Sequence, residues 1–148
     1  MKTLKTAILL IGSSLLFGCQ NAQANHNDYG DYDIPVNYDY SDVSKFALSW
    51  AEIFTVDSDA YYAYFYSSTC SHCIELKDFI IEKALKRGDI YFIKSSSLDQ
   101  FTEDPNKSIG AGNPGDIWIL GYPSLLKIEN KICTKNLAGN DKIKSELK

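Results

Sequence analysis

Ala60-Tyr61-Tyr62-Ala63-Tyr64-Phe65-Tyr66-Ser67-Ser68-Thr69-Cys70-Ser71-His72-Cys73-Ile74-Glu75-Leu76 is the stretch on which the fold turns. Its first half is a run of strand-forming aromatics without clean polar alternation, as in a central strand covered on both faces. After the cysteines, Leu76, Phe79, Ile80, Ala84 and Leu85 recur at helical spacing as far as Gly88, which is placed to end the helix. Two cysteines separated by two residues at a strand-to-helix junction make a redox device. The spacing permits a disulfide across the first helical turn, and the free N–H groups and dipole of that turn stabilise a thiolate on the outer sulfur. The expected chemistry is thiol-disulfide exchange, with Cys70 attacking and Cys73 resolving.

Other uses of the pair fit less well. Zinc needs four ligands, and the remaining candidates, Cys133, Cys19, His72 and His26, include no second closely spaced pair. A purely structural disulfide over so short a loop adds little stability. No metal and no cofactor are expected, because the sulfurs themselves carry the electrons. His72 either fills an exposed position or, as an imidazolium, favours the thiolate and makes the disulfide more oxidising.

Upstream, Met1-Lys2-Thr3-Leu4-Lys5 precedes an apolar stretch over residues 7–17, too short for a stable bilayer span but suited to a signal-peptide core. Export is expected. The end of that stretch, Leu16-Phe17-Gly18-Cys19, resembles the lipobox of bacterial lipoproteins, which implies removal of residues 1–18 as a signal peptide. Cys19 would then carry acyl chains, palmitate among them, on the extracytoplasmic face of the cell membrane. Ala22-Gln23-Ala24 is the competing site and would release a soluble protein. Residues 19–40 alternate Tyr29, Tyr32, Tyr38 and Tyr40 with Asp28, Asp31, Asp33 and Asp39. That composition reads as a lipid-anchored flexible linker, with partner binding or packing on the domain as alternatives. Extended, it reaches roughly 60–70 Å.

The chain carries 15 Lys+Arg against 19 Asp+Glu. Loss of Lys2 and Lys5 with the signal peptide leaves 13 against 19, a net charge near −6, which argues against a nucleic-acid partner. What remains suffices for one domain, residues 41–148. It opens with an amphipathic helix over residues 42–54, capped by Ser41 or Asp42. Beyond Gly88 comes a strand over 90–93, which completes a right-handed βαβ unit with a parallel pair. A long loop follows over 95–116, with a short helix at 98–103. The chain ends in a β-hairpin, 124–128 and 132–137, and a closing helix over 141–147. Cys133 reads as a small buried hydrophobe, with a regulatory or intermolecular disulfide as the alternative.

The order helix, strand, Cys70-x-x-Cys73, helix, strand, loop, Gly121-Tyr122-Pro123-Ser124-Leu125, hairpin, helix resembles the thioredoxin superfamily over nearly all of residues 41–148. The resemblance implies a thioredoxin-like α/β fold: a central mixed β-sheet flanked by helices, the cysteine pair at a helix N-terminus, and an opposing cis-proline at Pro123. It implies that Cys70, Cys73 and Pro123 form the catalytic set. Thr69, Ser71, His72 and Tyr122 would tune the pair or bind substrate, the Tyr122 backbone pairing with an extended segment. Thioredoxins carry an Asp six residues before the first active cysteine, proposed to move protons to and from the second. Here that position is Tyr64, a poor base at neutral pH, so water or another side chain would serve instead. Overall, the chain is similar to small thioredoxin-like lipoproteins of low-GC Gram-positive bacteria, some labelled bacteriocin-transport accessory proteins. The expected partners are exported proteins or peptides bearing thiols or disulfides, a membrane redox partner, and the lipid membrane through Cys19. The rival function is a non-catalytic accessory or binding lipoprotein for an exporter or secreted peptide.

Overall fold

The computed structural model describes residues 37–95 and 100–148. The expected signal peptide, Cys19 with its expected lipid attachment, Ala24, His26 and most of the expected linker lie outside the described residues.

Four strands form one sheet in the order β2-β1-β3-β4: β1 is Ala60–Tyr66, β2 Ile90–Lys94, β3 Ser124–Glu129 and β4 Ile132–Ala138. β1 runs parallel to β2, with Tyr64 opposite Phe92, and antiparallel to β3, with Tyr64 opposite Leu125. Being central, β1 is covered on both faces, and its six residues from Tyr61 to Tyr66 are all buried. Alternation divides them. Tyr62, Tyr64 and Tyr66 join Leu76, Ile80, Ile81 and Ala84 of α1 (Ser71–Arg87), with Ile143 of α2 (Asn140–Glu146) and Leu147 just beyond it. Tyr61, Ala63 and Phe65 point the other way, to Trp50, Ile53, Ile117, Ile119 and Cys133. Both described α-helices, with Val43 of the 3₁₀ helix Tyr40–Phe46, therefore cover one face, and the later 3₁₀ turns and the long loop cover the other.

α1 keeps the expected boundaries. It ends at Gly88, whose φ of 77° lies in the left-handed region that glycine enters without a Cβ clash. Leu85, expected on its apolar face, is instead exposed. The β3–β4 connection is the two-residue turn Asn130-Lys131, both residues with positive φ, which matches the twist of the strands it joins.

Two expectations need correction. In place of one amphipathic helix over 42–54 there are two 3₁₀ helices, Tyr40–Phe46 and Trp50–Glu52. Between them Leu48 N–H donates to the Phe92 carbonyl at 2.9 Å and Ala47 bridges Phe92, so this segment covers the edge of β2 instead of coiling. The first cap is neither Ser41 nor Asp42 but Asp39, in a reciprocal capping box with Asp42. The folded unit thus takes in Tyr38, Asp39 and Tyr40, read from sequence as linker: Tyr40 stacks on Tyr66 with ring centroids 3.9 Å apart. The second correction concerns the helix at 98–103. Its described part is not helical, because Phe101 bridges Ile119 in parallel and the Gln100 carbonyl accepts from Ile119 N–H at 2.8 Å.

Candidate active site

Strand β1 ends at Tyr66, and the chain turns through Ser67-Ser68-Thr69 before α1. Cys70 N–H donates to the Ser67 carbonyl at 3.3 Å, and the Ser67 and Thr69 hydroxyls lie 3.1 Å apart. This turn delivers Cys70 to the N-cap of α1 in an extended conformation, where its Sγ accepts the Cys73 backbone N–H at 3.3 Å. A cap is normally an oxygen acceptor for one of the helix's free N–H groups. Here a sulfur takes that role, an arrangement that supports negative charge on Cys70 Sγ as the helix dipole does.

The opposite wall is the Tyr122-Pro123 segment. The Tyr122-Pro123 peptide bond is cis, as the resemblance implies, and the Cys70 thiol donates to the Tyr122 carbonyl at 3.3 Å. Gly121, with φ of 124°, leads into this corner, and the Ser124 hydroxyl donates back to its carbonyl at 2.7 Å. Cys70 and Tyr122, 52 residues apart in sequence, meet because β1 and β3 are adjacent strands, Phe65 opposite Ser124.

The two thiols have unlike environments. Cys70 is half-buried, whereas Cys73 is only 1% exposed. Burial, with the Cys70 hydrogen bond adding to it, pushes the Cys73 thiol up to about 12. Both sulfurs are unbridged. The first sulfur is thus accessible and the second sequestered.

The remaining predicted residues divide. Thr69 turns toward Ser67, and Ser71 is exposed in the first turn of α1. His72 has a side chain 67% exposed and places Nδ1 3.4 Å from Glu75 Oε2, which also accepts from the Asn140 amide at 3.1 Å. With Gly139 and Asp141 these residues line an open cleft of about 310 Å³ beside the start of α1. A carboxylate partner offsets the charge an imidazolium would direct at the sulfurs. Cys133 is fully buried in the cluster on the far face of the sheet, so it joins neither sulfur of the pair. Its thiol donates to the Lys135 carbonyl at 3.4 Å, and burial pushes it up to about 12.

Two site neighbours were not singled out from sequence. Phe101, 53% exposed, meets the Tyr122 ring edge to face at 5.6 Å and extends an apolar rim from the Cys70–Tyr122 corner. Its position inside a polar loop concealed it. Tyr40 packs in the same cluster as Cys73 and Tyr64, yet its Asp/Tyr-rich surroundings read as spacer.

The sequence matches no family model and no curated protein. Solved structures are similar to it. Mitochondrial thioredoxin 3 from Saccharomyces cerevisiae, in its oxidized form, is 14% identical with a TM-score of 0.50, the match covering 72% of this chain and 96% of that one. A thioredoxin from Plasmodium falciparum is 15% identical, covering 68% and 94%, with a TM-score of 0.47. Thioredoxin f2 from Chlamydomonas reinhardtii is 14% identical, covering 69% and 92%, with a TM-score of 0.45. At this identity the likeness concerns architecture. The chain has a thioredoxin-like α/β fold, with a mixed four-stranded sheet and the Cys70-x-x-Cys73 pair at the start of α1.

Proposed function

We propose that this protein is a membrane-tethered, extracytoplasmic thiol-disulfide oxidoreductase acting on exported proteins or peptides. The observation that carries the chemistry is the setting of Cys70 Sγ, which accepts the Cys73 N–H at the N-cap of α1 and faces the Tyr122 carbonyl. In the reducing direction the Cys70 thiolate attacks a substrate disulfide, one substrate sulfur leaves as a thiolate, and the other is held in a mixed disulfide. Cys73 then attacks Cys70, closing the intramolecular disulfide and freeing the second substrate thiol. Run backwards, the same steps oxidise a substrate dithiol. The carbonyl and N–H groups beside cis-Pro123 would hold an extended substrate segment in the manner of strand addition, with Phe101 and Tyr122 flanking it. The extracytoplasmic membrane location rests on the sequence of residues 1–19 alone.

Cys73→Ser should trap mixed disulfides with client proteins, and Cys70→Ser should abolish them and all exchange. Restoration of a deletion strain by Cys70→Ser would overturn the reading in favour of a binding role without redox chemistry. Alkylation of the cellular pair assigns the direction: a mainly reduced pair marks a reductase, a mainly oxidised one an oxidase. Mass spectrometry of the mature N-terminus tests the tether, an acylated Cys19 being expected and a free Asn25 refuting it.

A further inference from the structure

The buried side of the site contains polar atoms that the exchange chemistry above does not use. Tyr64 is fully buried on β1, and its hydroxyl has no hydrogen-bond partner; the Tyr40 hydroxyl, brought in from the first 3₁₀ helix, is likewise buried and without one. Both belong to the cluster that contains Cys73, and the Tyr66 ring lies nearly parallel to each, its centroid 3.9 Å from that of Tyr40 and 6.0 Å from that of Tyr64. An unpartnered buried hydroxyl is costly, and two in the cluster that holds Cys73 call for an explanation.

We propose that the Tyr64 hydroxyl is the hydrogen-bond donor for the Cys73 thiolate during resolution, with Tyr40 acting through Tyr64 as a positioning residue; the inference rests on the exchange chemistry proposed above. In the dithiol the Cys73 sulfur is a weak acceptor and the hydroxyl is idle. When Cys70 is engaged in a mixed disulfide, the Cys73 thiol loses its proton, the Tyr64 O–H turns to the resulting thiolate, and the S–S bond between Cys73 and Cys70 forms as that between Cys70 and substrate breaks. The departing substrate thiolate takes up a proton, so the step is neutral overall. Tyr64 stays protonated throughout: burial holds its phenol far above its ordinary range, which excludes it as a base and suits it as a donor. The titratable groups facing Cys73 are Cys70, Tyr64 and Tyr40; of these, Tyr64 favours the Cys73 thiolate, whereas Cys70 opposes it.

The test is the reaction of the reduced full-length protein with dithiobis(nitrobenzoate), which releases one equivalent of thionitrobenzoate on attack by Cys70 and a second on resolution by Cys73. Reagent is raised until the first phase runs ahead. Loss of a hydrogen bond to a charged sulfur should slow the second phase of Tyr64→Phe about tenfold at neutral pH and displace its pH profile to higher pH, leaving the first phase unchanged. Tyr40→Phe should show a smaller change of the same sign, about threefold, and carries the test alone should Tyr64→Phe not fold. A second phase with wild-type rate and pH profile in the folded variant, including one merged with the first phase in both proteins, overturns the proposal. Absence of the first phase in the wild type overturns the exchange reading itself, so the two failures are distinct.

Discussion

Ser108 anchors the loop that carries Phe101 to the edge of the site, and Ser108→Ala tests how that loop is held. The Ser108 side chain is fully buried, and its Oγ both donates to the Trp118 carbonyl and accepts the Trp118 N–H, each at 2.7 Å. The carbonyl also accepts from the Asn136 amide at 2.8 Å, so truncation leaves it one partner and orphans only the N–H. Leaving one such part-buried donor unsatisfied costs up to about 3 kcal/mol. We take about 2 kcal/mol, and for a folded unit of this size that lowers Tm by roughly 8 °C. Asn136→Ala alone likewise leaves the carbonyl one partner. The double variant leaves it none, so its loss should exceed the sum of the singles by about 1 kcal/mol. Thermal and urea denaturation followed by circular dichroism measures all three variants. A Ser108→Ala protein melting within about 1 °C of wild type, or strict additivity in the double variant, would show that Ser108 does not anchor the loop in this way. Because the adjoining bridge sets Phe101 beside Tyr122, Ser108→Ala should also weaken exchange with peptide disulfides more than with a small reagent that needs no rim.

Two further outcomes follow from the thiols and from His72. Cys73 and Cys133 are each pushed up to about 12 by burial, so the folded reduced protein holds both protonated where the unfolded chain, near 8.5, does not. Their contribution to stability is therefore complete below about pH 8.5 and lost as pH rises toward 12; Cys133→Ala should make the alkaline fall in urea midpoint shallower, and an unchanged slope would contradict this. His72→Ala should make the disulfide less oxidising, but by less than about 20 mV, because the exposed imidazole is paired with Glu75 and surface pairs contribute under about 1 kcal/mol. Equilibration with glutathione measures the shift, and one beyond about 60 mV would assign His72 direct contact with the pair.

Local and periodic features are encoded along the chain. The aromatic run Tyr61 to Tyr66, the cysteine spacing, the helical recurrence from Leu76 to Ala84 and the Gly88 stop place β1, α1 and the sulfurs between them, because these depend on side-chain period and on groups within one helical turn. The hairpin is legible for the same reason, although Glu129, expected in its turn, belongs to β3 and leaves only Asn130-Lys131 between the strands. Other features depend on which surfaces meet once the chain is packed. Leu48 bonds to Phe92 instead of continuing a helix, a choice made by the uncovered edge of β2 rather than by residues 42–54 themselves. Phe101 reaches the site through a bridge to Ile119, and Tyr40 leaves an Asp/Tyr-rich segment to stack on Tyr66, because apolar ring area gains more from burial than the local composition suggests. The unequal burial of Cys70 and Cys73, the turning of His72 toward Glu75 and the burial of the Tyr64 and Tyr40 hydroxyls in the cluster with Cys73 follow from how α1, β1 and the first 3₁₀ helix pack, and no spacing rule in one chain encodes that.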